Sequence, residues 1–130
     1  MVKRKVLFIF LLVLFIVFIF GILVVIIKNK SPEVKTFDVS EYQYYIDNFS
    51  SEDNLGFISD SKELLKKVEV IWIKQYGERI KNQKPYQVFY DEVNGVWLVH
   101  GTLRSNIKGG VANILVDNDT GKVLAVWHYK

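Results

Sequence analysis

The chain has 130 residues, a formal charge of +3 and no cysteine. Without thiols it has no disulfide, no thiolate nucleophile, no zinc–thiolate site and no lipidated cysteine. Five of the 17 basic residues precede Ser31 and all 14 acids follow it, so residues 31–130 set 12 bases against 14 acids, a formal −2, which does not support a nucleic-acid-binding protein.

Residues Val6 to Ile27 form a run of 22 in which every residue except Gly21 is Leu, Ile, Val or Phe. As a helix this run reaches roughly 33 Å, slightly more than the ~30 Å hydrocarbon core of a bilayer. At roughly −0.3 to −0.6 kcal/mol per residue, insertion is favoured by up to about 6 to 13 kcal/mol. A cleaved signal peptide has an apolar region of only ~7–15 residues and a small-residue cleavage site. This run ends instead in Val25-Ile26-Ile27-Lys28, so it reads as an uncleaved single-pass anchor in contact with the lipid bilayer. Lys3, Arg4 and Lys5 before it nearly balance Lys28, Lys30 and Lys35 after it. The free amino terminus and the short N-terminal tail favour a signal anchor with the C-terminal domain on the extracytoplasmic side. The expected division is therefore residues 1–30, anchor with basic flanks, and residues 31–130, a soluble domain large enough for one small core.

Asn29 to Val34 reads as a polar linker, with Pro32 disfavouring a continuous helix into the domain. Ser40 and Gln43 have capping-box spacing, Val39 and Tyr44 can staple the chain entry, and Tyr42, Ile46 and Phe49 predict a short amphipathic helix ending near Phe49. Asp60 and Glu63 form a second box ahead of Leu64, Leu65, Val68, Ile71, Trp72 and Tyr76, which share one broad face. A longer helix is expected from Ser61 to Tyr76, with Gly77 as C-cap and a loop over Asn82 to Pro85.

From Tyr86 the period becomes two. Strands are expected at Tyr86–Asp91 and Val96–Leu103 around Asn94-Gly95, with a bulge at Glu92 and Val93. Ser105 to Gly110 reads as a loop, and strands at Val111–Asp117 and Lys122–Tyr129 flank the turn Asn118 to Gly121. This order defines an α+β layer structure, helices on one face of about four antiparallel strands. Trp72, Trp97, Val99, Ile114 and Val116 are the core candidates.

Catalytic, cofactor and metal residues are not assigned. His100 and His128 lack the HxxxH or HExxH spacing of a metal site and read as surface or packing residues. Gly109-Gly110 precedes an apolar strand, whereas a phosphate cradle needs a helix N-terminus there. A ketosteroid-isomerase-type pocket needs an acid in an apolar cavity, which spacing cannot reveal. The compositional anomaly is Thr36 to Ser61, which holds Asp38, Glu41, Asp47, Glu52, Asp53 and Asp60, six aromatic residues and no Lys or Arg. Such a segment is either a solvated helix face or a docking surface for a basic protein. On the second reading Glu41, Tyr45, Asp47, Glu52 and Asp53 are the partner-binding candidates.

Several motifs recur together over residues 64–130: Ile71-Trp72 with Tyr76-Gly77, Lys84-Pro85-Tyr86, Trp97-Leu-Val-His-Gly101-Thr-Leu103, Gly109-Gly110-Val-Ala-Asn-Ile, Thr120-Gly121-Lys122-Val123 and His128-Tyr-Lys130. In order and spacing they resemble the NTF2-fold immunity proteins of bacterial polymorphic toxin systems, including the YbbC/YhhH-like group. The resemblance implies an NTF2-like, cystatin-like cone of helices on a curved antiparallel sheet. It further implies a non-catalytic scaffold that binds and neutralises a cognate toxin, and no cofactor. A VirB8-like subunit of an envelope or secretion assembly and a PepSY-like regulatory module are the alternatives by weaker resemblance. A small-molecule NTF2-like enzyme ranks below them. A homodimer through an open sheet edge is a further expectation.

Overall fold

A computed structural model describes residues 2–28, 30–104 and 109–129; most of the loop expected over Ser105 to Gly110, and Lys130, lie outside the described residues. Helix α1 runs over Val2–Lys28 and is long and apolar enough to cross a membrane. It falls in one compact unit, Met1–Ser31, and the rest of the chain, Pro32–Lys130, forms another.

The second unit holds a five-stranded open sheet in the order β1-β2-β3-β4-β5. Strands β2 (Gln87–Asp91), β3 (Val96–His100), β4 (Ala112–Asp117) and β5 (Val123–His128) form the expected antiparallel meander. The fifth strand is a correction. β1 (Val34–Thr36) occupies the end of the expected linker and pairs parallel to β2, Val34 opposite Val88 and Thr36 opposite Tyr90. Three residues with no hairpin partner carry no local strand signal; the pairing is made across more than fifty residues of chain.

The helices were expected on one face of the sheet, and the sheet is covered on both. Along β3 and β4, Val99, Ile114 and Val116 face helix α3 (Ser61–Tyr76), joining Leu64, Val68 and Trp72, which recur every fourth residue and are completely buried. Leu98, Leu115, Ala125 and Trp127 face the other way, toward Phe37, Val39, Tyr42, Tyr45 and Ile46 of the entry segment. Trp97, a predicted core residue, is only half-buried and donates its indole N–H to Asn118 Oδ1 at 2.8 Å. The β4 sequence Ala-Asn-Ile-Leu-Val is buried at every position, the signature of a strand covered on both sides.

α3 begins and ends where its punctuation places it. Asp60 accepts from the Glu63 amide at 2.8 Å, and Gly77, at φ 88°, donates its N–H to Ile73 O at 2.8 Å. The Glu63 carboxylate reaches back one residue further than a capping box requires, accepting from the backbone N–H and hydroxyl of Ser59. Those bonds and Lys67, at 3.1 Å, hold its carboxyl down to about 2.

At the entry, Asp38 takes the capping role assigned to Ser40, accepting from the Ser40 amide at 2.9 Å. A 3-10 turn over Val39–Tyr42 then leads into α2 (Gln43–Asn48). With the helix started later, Tyr42, Tyr45 and Ile46 point inward, whereas Tyr44 and Phe49, predicted as staple and core, turn to solvent. A 3-10 helix, Glu78–Gln83, takes in Asn82 and Gln83 of the expected loop and leaves Lys84 and Pro85 outside it. Gln83 is buried: its Oε1 accepts from the Ala112 amide at 2.9 Å, and it occupies the space a side chain on Gly101 would need. The Thr102 amide donates to Gln83 O at 2.7 Å, so β3 leaves the sheet at His100 and not at Leu103 as expected.

Asn94-Gly95 ends a four-residue turn, Glu92 to Gly95, with no bulge. The buried carboxylate of Asp91 organises the turn by accepting from Val93 and Asn94 amides, each at 3.0 Å, and from Asn94 Nδ2 at 3.0 Å. It also accepts from Val39 N at 2.9 Å, which ties the entry segment to the sheet. Residues 49–55 lie along the outer edge of β5, where Val126 N donates to Phe49 O, Val123 N to Asp53 O, and Leu55 N to Gly121 O, all within 3.0 Å. That strap blunts the β5 edge, leaving exposed β1 as the sheet's other edge.

Candidate protein-binding surface

On the α2 face the aromatic side chains form a platform. Trp127 is its buried floor, with Tyr45 stacked on it at 4.2 Å and 15° between ring planes. Around Tyr45 stand Tyr44 at 5.4 Å, Tyr129 at 5.9 Å and Phe49 at 6.2 Å. These three are 65 %, 42 % and 41 % exposed. Aromatic rings at a surface offer large contact area with few torsions to freeze, the chemistry of a protein-binding hot spot. Contact with Tyr129 through its hydroxyl, followed by burial, pushes the Tyr45 phenol up to about 12, so it remains an un-ionised donor. Burial raises Tyr42 as well.

The five predicted binding residues divide across this surface. Glu41 and Asp47 are exposed on the 3-10 turn and α2; Asp47 accepts from Gln43 Nε2 at 2.8 Å. Tyr45 is half-buried and as much a packing residue as a contact residue. Glu52 and Asp53 lie on the strap, where Glu52 is exposed and Asp53 accepts from Ser51 Oγ at 3.0 Å and pairs with Lys74 at 3.4 Å. Tyr44, Phe49 and Tyr129 were not singled out as binding residues. The spacing of Tyr42, Tyr45 and Ile46 carries the signal, since a helix that buries those three must expose Tyr44.

The histidines do not meet. His100 stacks on Phe89 at 5.1 Å on the α2 face, and His128 lies 5.4 Å from Tyr76 on the α3 face. Each is oriented by Nδ1 against a backbone carbonyl, Gly101 O at 2.8 Å and Tyr129 O at 2.7 Å. A cleft of about 430 Å³ is lined by Tyr76, Arg79, Ile80, Asn82, Gln83, Gly110 and His128, with no Asp or Glu among these described residues. Its one imidazole approaches the Gln83 amide at 3.4 Å, and no carboxylate there can act as its partner in acid–base chemistry. Gly110 adjoins Tyr129, whose side chain and carbonyl fill the space a Cβ would need; close packing, not a phosphate, requires that glycine.

Helical elements over both faces of a mostly antiparallel five-stranded sheet define an α+β protein. A family profile described as NTF2 fold immunity protein matches residues 66–130, half of the chain. The chain belongs to the NTF2 fold immunity protein family. Comparison with curated proteins and with solved structures gave no match. The matched span starts inside α3 and includes the platform's Trp127 and Tyr129, whereas Tyr44, Tyr45 and Phe49 come from the segment before it.

Proposed function

We propose that this immunity protein binds and neutralises a cognate toxin without catalysing a reaction, using the face that carries α2. The observation that supports it best is the platform of Tyr44, Tyr45, Phe49 and Tyr129, bordered by Glu41 and Asp47, on a family member. The aromatics supply contact energy, and the carboxylates steer a basic partner into encounter. Helix α1 anchors the chain as a single bacterial membrane span, with the domain on the extracytoplasmic side. There it meets a toxin at a raised local concentration.

The test is co-expression with the toxin encoded beside this chain, followed by kinetics of the purified pair. Protection of the cells and a stable one-to-one complex are expected. Replacing Tyr44 and Phe49 by Ala accelerates dissociation by tenfold or more, whereas Glu41→Gln with Asp47→Asn slows association and weakens its salt dependence. A complex whose rates ignore all four substitutions places the binding face elsewhere; absence of any complex removes the proposal.

A further inference from the structure

We propose that the opposite face, built by α3 and the 3-10 helix Glu78–Gln83, docks on anionic lipid headgroups and holds the aromatic platform away from the bilayer. This rests on α1 being a membrane anchor. Only three residues separate Lys28 from Pro32, a reach of about 14 Å at full extension, whereas a folded unit of a hundred residues has a radius of gyration of about 13 Å. A domain tethered that closely must turn one side to the headgroups, and charge selects which.

The formal −2 of residues 31–130 is unevenly placed. Residues 36–60 contain six acids and no base; residues 61–84 contain seven bases, Lys62, Lys66, Lys67, Lys74, Arg79, Lys81 and Lys84, against three acids. Each of those acids already holds a lysine: Glu63 with Lys67 at 3.1 Å, Glu69 with Lys84 at 3.1 Å, and Glu78 with Lys81 at 2.8 Å. Lys74 pairs in turn with Asp53 at 3.4 Å, and with Asp53 and the α3 cap Asp60 counted on this face the bases still outnumber the acids, seven to five; the exposed Lys66 and Arg79 can therefore meet an external anion.

The apolar side chains on this face agree. Val70, 65 % exposed, lies one turn from both Lys66 and Lys74 on the outer stripe of α3. Phe57, 80 % exposed, adjoins Lys67, whose Nζ donates to Phe57 O at 2.5 Å. Lysines interspersed with exposed Phe and Val compose a surface that seats in the headgroup layer, with apolar groups dipping and ammonium groups on phosphate. Because α3 and α2 cover opposite faces of the sheet, seating the first leaves the second free for a protein partner.

The natural chain has no cysteine, so single cysteines report position. Val70→Cys and Tyr44→Cys, each in the full chain and carrying a fluorophore, are compared in vesicles of phosphatidylcholine alone or with 30 % phosphatidylglycerol, with a headgroup spin-labelled lipid as quencher. Quenching at position 70 is expected to exceed that at position 44 at least twofold, only with phosphatidylglycerol, and to lose the excess in 0.5 M NaCl. Lys66→Glu with Arg79→Glu in the Val70→Cys chain abolishes the excess while leaving the thermal midpoint in place. Equal quenching at the two positions, or more at 44, overturns the proposal. So does a charge reversal that weakens toxin binding without moving the lipid signal, which makes this face a protein contact. Extraction by alkaline carbonate reads the anchor separately, so loss of the anchor and loss of the docked face are distinguished.

Discussion

The two faces of this sheet are covered in different ways. On the α3 face the contacts are aliphatic and closed: Leu64, Val68, Trp72, Val99, Ile114 and Val116 are all completely buried. On the α2 face the contacts are aromatic and left open, a short helix laying Tyr42 and Tyr45 over Trp127 while Tyr44 and Phe49 remain in water. Close packing without voids stabilises a fold, and every atom moved there is felt. Exposed rings over a buried floor add less stability but remain available to a partner. The comparison teaches that one side of the sheet is closed by aliphatic packing while the other keeps aromatic side chains exposed.

Deleting one ring on each side gives the largest expected difference. Trp72→Ala should cost about 3–5 kcal/mol, since it empties the centre of the α3 layer and removes the edge-to-face partner of Tyr86, 5.1 Å away. Phe49→Ala should cost about 1 kcal/mol or less, as expected of a partly exposed side chain. Urea unfolding of the full chain in detergent measures both. Similar costs for the two would abolish the division between the faces.

Next comes the strap that joins them. Gly121 has φ 74°, and a Cβ there would collide with the backbone carbonyl of Gly56. Gly121→Ala should therefore cost more than about 1 kcal/mol, because neither the backbone angle nor a main-chain neighbour can relax cheaply. Faster proteolysis within residues 49–60 should accompany the lower midpoint, showing that the β5 edge has been uncovered.

A third effect depends on pH. Backbone and side-chain donors, led by the Val39 amide, hold the Asp91 carboxyl down to about 2 from an ordinary 3.8. Its folded value lies below its unfolded one, so the stabilisation is complete above about 3.8 and is lost as pH falls toward 2. Asp91→Asn should lower the melting temperature at neutral pH and flatten its fall between pH 4 and 2. Glu63 titrates over the same range, so the difference between protein and variant isolates Asp91. An unchanged acid limb would mean that the Asp91 tie between entry segment and sheet contributes nothing.

How much of this was legible in the sequence follows the same division. The α3 layer was readable because its signals are local: Asp60 and Gly77 punctuate the helix, and Leu64, Val68 and Trp72 recur every fourth residue. The meander was readable from its turns. In the α2 layer the inward Tyr42 and Ile46 were readable, whereas Phe49 was placed inward and faces solvent, because a 3-10 turn capped by Asp38 comes first and α2 begins only at Gln43. β1 was invisible because its pairing partner is distant and its three residues are too few to show a period. The second layer itself left one trace in the sequence, the consecutive apolar residues Ile114, Leu115 and Val116, which do not alternate as a strand with one solvated face would. Glu41 and Asp47 were legible as candidate contacts by composition, and Tyr44, Phe49 and Tyr129 were not, since exposure depends on where a helix begins.

The smallest predicted effect concerns Asp53, where the two readings of the acidic segment meet. Its carboxylate pairs with Lys74 at 3.4 Å, but the lysine side chain is 73 % exposed. An exposed pair of that kind contributes between about 0 and 1 kcal/mol, because solvent screens the attraction and ordering a long side chain opposes it. Lys74→Ala should therefore leave urea unfolding nearly unchanged, while the Asp53 carbonyl, accepting from Val123 N at 3.0 Å, continues to hold the strap. The same substitution releases the carboxylate for a basic partner, so association with a toxin should quicken slightly at low salt and become indistinguishable from the parent at high salt. A loss of more than about 1 kcal/mol would make Asp53 a structural tie between the faces and remove it from the recognition surface.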